Sequence, residues 1–303
     1  MQSSTPWFEG FEAHDFDVNG TRIHARTGGT PGAPPLLLVH GFPQSHVLWH
    51  RVAQRLAPHF NLVLPDLRGY GRSSKPPGIT DHANYSKRVM AQDLLALMHK
   101  LGFERFDVCG HDRGARVAHR LALDHPQAVQ RLALIDIAPT LDMYNATDMA
   151  FARAYYHWFH LIQPSPLPEK MIGACASDYL RAKLGGWGSG GTAYIEPEAL
   201  AEYERNFCKP EAIHAACEDY RASAGIDLVH DRAARTAGHK IICNTLVLWG
   251  ERGVVHKLFD PLALWQAQCA ATVQGQILPA GHFIPEELPG ETAAALLSFF
   301  GPG

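Results

Sequence analysis

Short apolar runs alternate with longer segments of helical spacing along most of this chain. Residues 14–18 and 21–27 alternate between apolar and polar side chains on either side of Asn19-Gly20, which predicts a β-hairpin. Continuous apolar runs, typical of buried strands, follow at 36–39, 61–65, 106–109, 132–137, 245–249 and 276–278. Helical spacing occupies 47–58, 85–101, 113–124 and 291–300. Strands alternating with helices predict an α/β fold with a mainly parallel, doubly wound sheet.

The interval from residue 140 to 240 breaks this alternation. It contains aromatic helical stretches, a proline-rich break at 163–168 and a glycine cluster at 185–191, and it carries no buried-strand pattern. We expect a core formed by residues 1–139 and 241–303, with 140–240 inserted as a helical cap. A cap of this kind closes a small apolar site and excludes water from it.

The amino-acid composition mainly excludes certain classes of function. The 303 residues are 46% hydrophobic and 19% charged with a net charge of −3, which gives no electrostatic case for binding nucleic acid or an anionic membrane. No apolar run approaches the ~20 residues of a membrane span. Residues 1–10 lack a signal-peptide pattern, so a cytoplasmic location is expected. Six cysteines without a Cys-x-x-Cys pair predict free thiols, and the 18 histidines form no convincing ligand set, so no metal or other cofactor is expected.

The predicted strand at 106–109 runs into Gly110-His111-Asp112-Arg113-Gly114 and then into a helix. A sharp strand-to-helix turn framed by two glycines presents its central residue as a nucleophile. Here that residue is Asp112, whose carboxylate needs no base to become nucleophilic at neutral pH. A carboxylate suits displacement at a saturated carbon, and the product is an alkyl–enzyme ester. The alternative is an aspartate that only caps the following helix.

Several motifs together resemble one branch of the α/β-hydrolases. His40-Gly-Phe-Pro43, Asp66-Leu-Arg-Gly-Tyr-Gly71, the Asp112 turn and Gly281-His-Phe283 are similar to those of epoxide hydrolases and haloalkane dehalogenases. The paired arginines Arg113 and Arg116, Tyr156-His157-Trp158, and Asp219-Tyr-Arg-Ala222 resemble those of fluoroacetate dehalogenases, and the resemblance covers nearly the whole chain.

This resemblance implies a catalytic histidine and an acid that orients it. His282 matches the histidine that comes last in chain order, and it would deprotonate the water that hydrolyses the Asp112 ester. The alternative for His282 is an ordinary surface-loop histidine. Asp136, among apolar neighbours, is the favoured orienting acid over Glu251 and Asp260.

Arg113 and Arg116 are three residues apart and therefore share one helix face at its N-terminal end. Guanidinium groups bind carboxylates in a bidentate manner, so this pair would hold an anionic substrate beside the nucleophile. His157, Trp158 and Tyr220 offer N–H and O–H donors that would stabilise a departing halide. The alternatives are a solvated helix face for the arginines and ordinary aromatic core for the other three.

The backbone N–H groups of Phe42 and Arg113 are the expected oxyanion hole, and Trp187 is a further pocket residue of the cap. The sequence thus predicts an enzyme that acts on a small haloacid, with fluoroacetate as the favoured substrate; relatives suggest a homodimer. An epoxide hydrolase would share Asp112 and His282 but need acidic donors, usually two cap tyrosines. A receptor without catalysis on the same fold is a third possibility.

Overall fold

A computed structural model of the chain describes residues 7–301. Most of residues 1–10, where no signal-peptide pattern was found, lies outside that range, as do residues 302 and 303. Eight strands form one sheet: β1 Phe11–Val18, β2 Thr21–Gly29, β3 Pro35–Val39, β4 Asn61–Pro65, β5 Phe106–His111, β6 Val129–Ile135, β7 Asn244–Gly250 and β8 Val273–Leu278.

The strands lie in the order β1-β2-β4-β3-β5-β6-β7-β8. The hairpin β1–β2 is antiparallel and joins β4 in antiparallel register, whereas β3 to β8 all pair in parallel. Strand β5 is fully buried and has the parallel neighbours β3 and β6 on its two edges. The predicted α/β class with a mainly parallel sheet is confirmed.

Fifteen α-helices and two 3₁₀ turns surround or follow the sheet within residues 7–301. Three helices precede β6, namely α1 His50–Leu56, α2 Lys87–Lys100 and α3 Arg113–Asp124. Those after β7 are α12 Val254–Leu258, α13 Pro261–Gln266, α14 Ile284–Glu287 and α15 Pro289–Phe300. The 3₁₀ turns are His46–Trp49 and Ala83–Tyr85.

Eight further helices lie between β6 and β7, and we call this segment the insertion. They are α4 Thr140–Asn145, α5 Met149–Ala154, α6 Tyr156–Leu161, α7 Leu167–Gly173, α8 Ala176–Leu184, α9 Pro197–Phe207, α10 Pro210–Ala224 and α11 Ile226–Thr236. The longest of them, α10, packs against α6, α7, α9 and α11 and buries most of its residues. It therefore forms the centre of the insertion.

The main difference from the sequence prediction is at β6. The apolar pattern suggested residues 132–137, but the strand runs from Val129 to Ile135. Asp136 has φ of 51°, a left-handed conformation that no strand residue adopts, so the chain leaves the sheet there. None of the helices in residues 7–301 has both the length and the apolar character of a membrane span.

Candidate active site

The Asp112 turn is as sharp as the sequence predicts. Strand β5 ends at His111 and α3 begins at Arg113, so the whole reversal falls on Asp112, with φ 50° and ψ −117°. Both flanking glycines are required, because neighbouring backbone atoms lie too close to leave room for a side chain. A Cβ on Gly110 would lie 2.6 Å from the Cα of Ala115, and one on Gly114 would lie 2.2 Å from the carbonyl oxygen of His40. The backbone conformation of Asp112 costs roughly 1–3 kcal/mol and is held by its surroundings.

The side chain of Asp112 does not cap α3. Its Oδ1 instead accepts a hydrogen bond of 2.9 Å from the backbone N–H of Phe42. Burial alone would raise the pKa of Asp112, but the nearby rings of His282 and His111 and the charges of Arg116 and Arg113 outweigh it and lower the pKa. The carboxylate is therefore ionised at neutral pH, as a nucleophile must be.

His282 lies between Asp112 and Asp136. Its Nδ1 is 2.6 Å from Asp136 Oδ2, and its Nε2 is 3.7 Å from Asp112 Oδ2. The Nε2 atom is buried and has no hydrogen-bond partner among residues 7–301, so it is directed into the site. Asp136 is held in turn by the backbone N–H of Gly250 at 3.0 Å. The buried carboxylates of Asp136 and Asp112 thus lie on opposite sides of the His282 ring, the first at Nδ1 and the second at Nε2.

The two other acids that the sequence left open lie elsewhere. Asp260 caps α13 by accepting a hydrogen bond of 3.0 Å from the N–H of Ala263. Glu251 is exposed. Burial disfavours protonation of His282, but its hydrogen bond to Asp136 and the charges of Asp136 and Asp112 outweigh that effect and raise its pKa.

Arg113 is completely buried and engaged by α10. Its Nε donates to Asp219 Oδ2 at 3.0 Å, and its Nη2 donates to Asp219 Oδ1 at 2.6 Å and to Ser223 Oγ at 2.6 Å. Its Nη1 is buried without a partner in the described part of the chain. The guanidinium carbon lies 4.2 Å from the centre of the Tyr220 ring. Arg113 therefore already has a buried ion-pair partner, Asp219.

Arg116 is in a different situation, although it is only 3% exposed. Its Nη1 donates to the carbonyl of Ala138 at 3.1 Å and to Thr140 Oγ1 at 2.8 Å, and its Nη2 reaches Met143 Sδ at 3.2 Å. Within residues 7–301 no carboxylate lies in ion-pair distance of it, and its Nε is buried without a partner. Burial and the charge of Arg113 lower the pKa of Arg116. The site thus contains a buried cation with no carboxylate in ion-pair distance, and the acid whose charge acts on it is Asp112.

The three predicted halide donors lie close together: the ring centre of Tyr220 is 5.5 Å from that of His157 and 6.4 Å from that of Trp158. Tyr220 packs edge to face on Phe42 at 5.3 Å between ring centres, and His157 stacks on Phe42 at 6.0 Å. The Arg116 guanidinium lies 4.8 Å from the centre of the Trp158 ring. Neither the phenol of Tyr220 nor the indole N–H of Trp158 forms a hydrogen bond with any residue in the range 7–301. Burial and the charge of Asp112 raise the pKa of Tyr220, which keeps its O–H as a donor.

Trp187 covers the histidine end of the site. Its ring centre is 5.2 Å from that of His282 and 4.7 Å from that of His157. Its N–H donates to the carbonyl of Ala154 at 3.2 Å, so this donor is already used. Trp187 has φ of 53°, unusual for a residue with a side chain, and it lies in the glycine-rich segment 185–191.

Sequence reasoning missed the groups that hold these residues. His111 Nε2 lies 2.8 Å from the carbonyl oxygen of His282, and burial lowers the pKa of His111 to about 3, so the ring stays neutral and donates to that carbonyl. Asp219 also accepts hydrogen bonds from the Tyr70 phenol at 2.5 Å and from the Lys87 ammonium. The only signal for Asp219 was its position beside Tyr220 in the motif.

Among residues 7–301, two groups outside this site have metal-ligand chemistry, namely His24 with His46 and Asp66, and Glu169 with His214 and Glu218. Both are occupied by protein partners. Arg26 donates to the ring of His46 at 3.4 Å, and Arg221 forms ion pairs with Glu169 and Glu218. Neither group contains a residue of the candidate active site.

Known proteins resemble this chain over nearly its whole length. The family model described as the alpha/beta hydrolase fold matches residues 34–289. The chain belongs to the α/β-hydrolase family. It is 47% identical to a fluoroacetate dehalogenase from Burkholderia sp., covering 96% of this chain and 94% of that protein, which confirms the resemblance noted from the motifs.

This α/β-hydrolase is also 32% identical to a soluble epoxide hydrolase from Corynebacterium sp. strain C12, over 95% of this chain and 97% of the relative. Among solved structures, a protein from Nostoc sp. PCC 7120 that has been provisionally assigned as an α/β hydrolase superimposes with a TM-score of 0.93. It is 54% identical and covers 96% of this chain and 98% of its own. The family therefore includes relatives with two chemistries, and the site must distinguish them.

Proposed function

We propose that this enzyme removes halide from small 2-halocarboxylates, with fluoroacetate as the favoured substrate. The similarity to a fluoroacetate dehalogenase supports the carbon–halide chemistry. The observation that carries the proposal is Arg116, a buried cation without a carboxylate partner in the described chain, located one helical turn from the nucleophile position. A buried charge without a partner is costly, and an anionic substrate removes that cost.

In the first step, Asp112 attacks the carbon that bears the halogen. The carbon–halogen bond breaks, its electron pair leaves with the halide, and an ester forms between Asp112 and the carboxymethyl group. Arg116 and the unpartnered Nη1 of Arg113 bind the substrate carboxylate, which offsets its repulsion from Asp112. His157, Trp158 and Tyr220 are the proposed donors to the departing halide.

In the second step, His282 removes a proton from a water molecule that attacks the Asp112 carbonyl carbon. The 3.7 Å between His282 Nε2 and Asp112 Oδ2 suits this role, because a water that bridges to the carbonyl carbon needs more room than a direct hydrogen bond. The N–H groups of Phe42 and Arg113 stabilise the oxyanion, and the 2.9 Å contact from Phe42 to Asp112 supports this assignment. The tetrahedral intermediate then collapses: the ester C–O bond breaks, the departing alkoxide takes the proton held by His282 and leaves as glycolate, and the Asp112 carboxylate is restored. Asp136 keeps the ring of His282 oriented.

We further propose that the insertion acts as the cap. It supplies His157, Trp158, Trp187 and Tyr220, whose rings surround the space in front of Asp112. Water excluded from this space cannot screen the charges, so the electrostatic effects of the arginines and the donors are strengthened.

The first test is a comparison of substrates. Purified protein is incubated with fluoroacetate, chloroacetate and styrene oxide, and fluoride, chloride and diol are measured. We expect halide release from both acids and no diol. Diol formation without halide release would contradict the proposal.

A second test concerns the covalent intermediate. In a single turnover in ¹⁸O-water, the label should enter the Asp112 carboxylate before it enters glycolate, because water attacks the enzyme ester. The variant His282→Asn should stall after the first step, and intact-protein mass spectrometry should find a carboxymethyl adduct on Asp112. Label that appears only in glycolate, or an inactive His282→Asn protein without adduct, would contradict this sequence of steps.

Epoxide hydrolysis is the second candidate, favoured by the relative from Corynebacterium. It needs phenols that protonate the epoxide oxygen. Tyr220 is one, and Tyr155 is another, since it is buried and close enough to Asp136 and Asp112 for their charges to raise its pKa. An uncompensated Arg116 has no role with a neutral epoxide, so the site favours the haloacid.

A further inference from the structure

The insertion contains a second buried cation without a counter-ion, Lys183, in the last turn of α8. Lys183 is 5% exposed and has no hydrogen bond or ion pair with any other residue in the range 7–301. Its Nζ lies 3.8 Å from the centre of the Tyr156 ring, 5.2 Å from that of Tyr179 and 5.7 Å from that of Trp187. The end of a helix favours a cation, but this ammonium makes no bond to the terminal carbonyls of α8.

Other polar groups around Lys183 also lack partners. The phenol of Tyr179 and both ring nitrogens of His160 are buried without a hydrogen bond in the described chain, and so is Nδ1 of His157. The Tyr179 and His160 rings are 6.4 Å apart, and the charge of Lys183 adds to burial in lowering the pKa of His157 and of His160. The acid whose charge acts on His160 is Glu169, which is engaged by Arg221.

This cluster lies between an exposed tyrosine and a tryptophan of the candidate active site. Tyr156, on one side of the ammonium, is 48% exposed. Trp187, on the other side, contacts both His157 and His282. Burial lowers the pKa of Lys183 to about 8, so the ammonium is mainly protonated at pH 7. Lys183 thus places a positive charge between the outer surface and the halide end of the site.

We propose that Lys183, Tyr179 and His160 form a binding site for small monoanions, separate from the arginine pair and located on the route to the active site. Its ligand is a carboxylate or a halide ion, held by one ammonium and by neighbouring O–H and N–H donors. The identity of the anion, as entering substrate or departing halide, rests on the proposed function. The binding of anions at this site does not.

The test uses iodide, a halide that quenches tryptophan fluorescence. Trp187 is the proposed reporter, and a Trp158→Phe background removes the signal of the indole beside Arg116. We expect a saturable component of iodide quenching in this background. It should be lost on Lys183→Met, retained at least in part on Lys183→Arg, and unchanged on Lys100→Met. Lys100 is exposed and is the last residue of α2. Lys87, which bonds to Asp219, is the first residue of that helix, so the two lysines are 13 residues and about 20 Å apart along the helix axis.

Competition then identifies the source of the anion. Displacement of iodide by acetate indicates a site for the substrate carboxylate, and displacement by fluoride alone indicates a site for the released halide. Acrylamide, a neutral quencher, should act equally on all variants, which shows that Trp187 has not become more accessible. Saturable iodide quenching of equal strength in Lys183→Met and its parent would overturn the proposal, even if the enzyme has no haloacid activity.

A kinetic measurement tests the route. Since a charge that attracts the substrate is screened by salt, kcat/KM for haloacetate on Lys183→Met should be about fivefold to tenfold lower than wild type at low ionic strength, and the difference should shrink in high salt. Lys100→Met has the same change in net charge and should stay within about twofold of wild type. Equal effects of the two variants would show that Lys183 acts only through net charge and would overturn the route.

Discussion

Arg113 and Arg116 lie one helical turn apart on α3, yet we expect their replacement by methionine to change stability very differently. Arg113→Met removes an ion pair with Asp219 and leaves that carboxylate buried with Lys87 as its remaining cationic partner. Arg116→Met removes a cation whose acceptors are the Ala138 carbonyl, a hydroxyl and a thioether. The first change leaves the buried carboxylate of Asp219 with too little compensating positive charge. The second removes a buried cation that has no ion-pair partner.

The magnitudes follow from these partners. Breaking a buried ion pair by removing one member costs about 3–5 kcal/mol, and because Lys87 remains beside Asp219, we expect about 3 kcal/mol for Arg113→Met. The two hydrogen bonds of Arg116 to oxygen are worth about 1 kcal/mol each. Removal of its uncompensated charge offsets this loss, so the free energy of unfolding of Arg116→Met should be within about 1 kcal/mol of wild type.

Urea-induced unfolding of the ligand-free protein, followed by circular dichroism and by tryptophan fluorescence, measures both values. Arg235→Met is the control, because its ion pair with Asp142 is partly exposed and should contribute about 0–1 kcal/mol. Titration with acetate, an unreactive carboxylate, should show weakened binding in both active-site variants but not in the control. Equal losses of stability in Arg113→Met and Arg116→Met would refute the idea that Arg116 lacks compensation.

Four further outcomes test other parts of the site. The variant Asp112→Asn should lower the pKa of His282 because it removes a charge that raises it; an unchanged midpoint in a histidine NMR titration would contradict this. In wild type, ester hydrolysis should slow as pH falls through the raised pKa of His282, since only the neutral ring accepts a proton, which single-turnover rates would show. Tyr220→Phe should lower kcat on fluoroacetate by about 10²–10³ and on chloroacetate much less, because fluoride depends more on donors to its developing charge; equal losses would remove Tyr220 from the halide site. Gly114→Ala should lower the yield of folded protein, because its Cβ would lie 2.2 Å from the His40 carbonyl oxygen, and a wild-type thermal melt would show that the turn is less crowded than described.

The parts of the structure that depend on local patterns could be predicted from the sequence. The strand Asn61–Pro65 and the helix Arg113–Asp124 have the predicted bounds, because apolar runs and helical spacing are local signals. The position of Asp112 between two glycines could likewise be recognised in the sequence. The sequence could not decide between Asp136 and the other acids, because that choice depends on a left-handed residue at the end of β6, which no apolar pattern reveals.

The partners of the predicted residues could not be found in the same way. Asp219 meets Tyr70, Lys87 and Arg113, which lie 149, 132 and 106 residues away along the chain. Such contacts result from the packing of α10 on the core. The two arginines were predicted as an equal pair, and only this packing shows that one of them is neutralised and the other is not.

The attachment of α10 to the core also restricts how ligands can be exchanged. Asp219, in the middle of this helix, bonds to side chains from three separate core segments, so a hinge motion that lifts α10 would separate buried opposite charges. At about 3–5 kcal/mol, such a motion would make the open form rarer by roughly a hundredfold to a few thousandfold. We therefore expect ligands to enter and leave through local movements of side chains and loops, and turnover to be sensitive to residues at the rim of the insertion while α10 stays fixed.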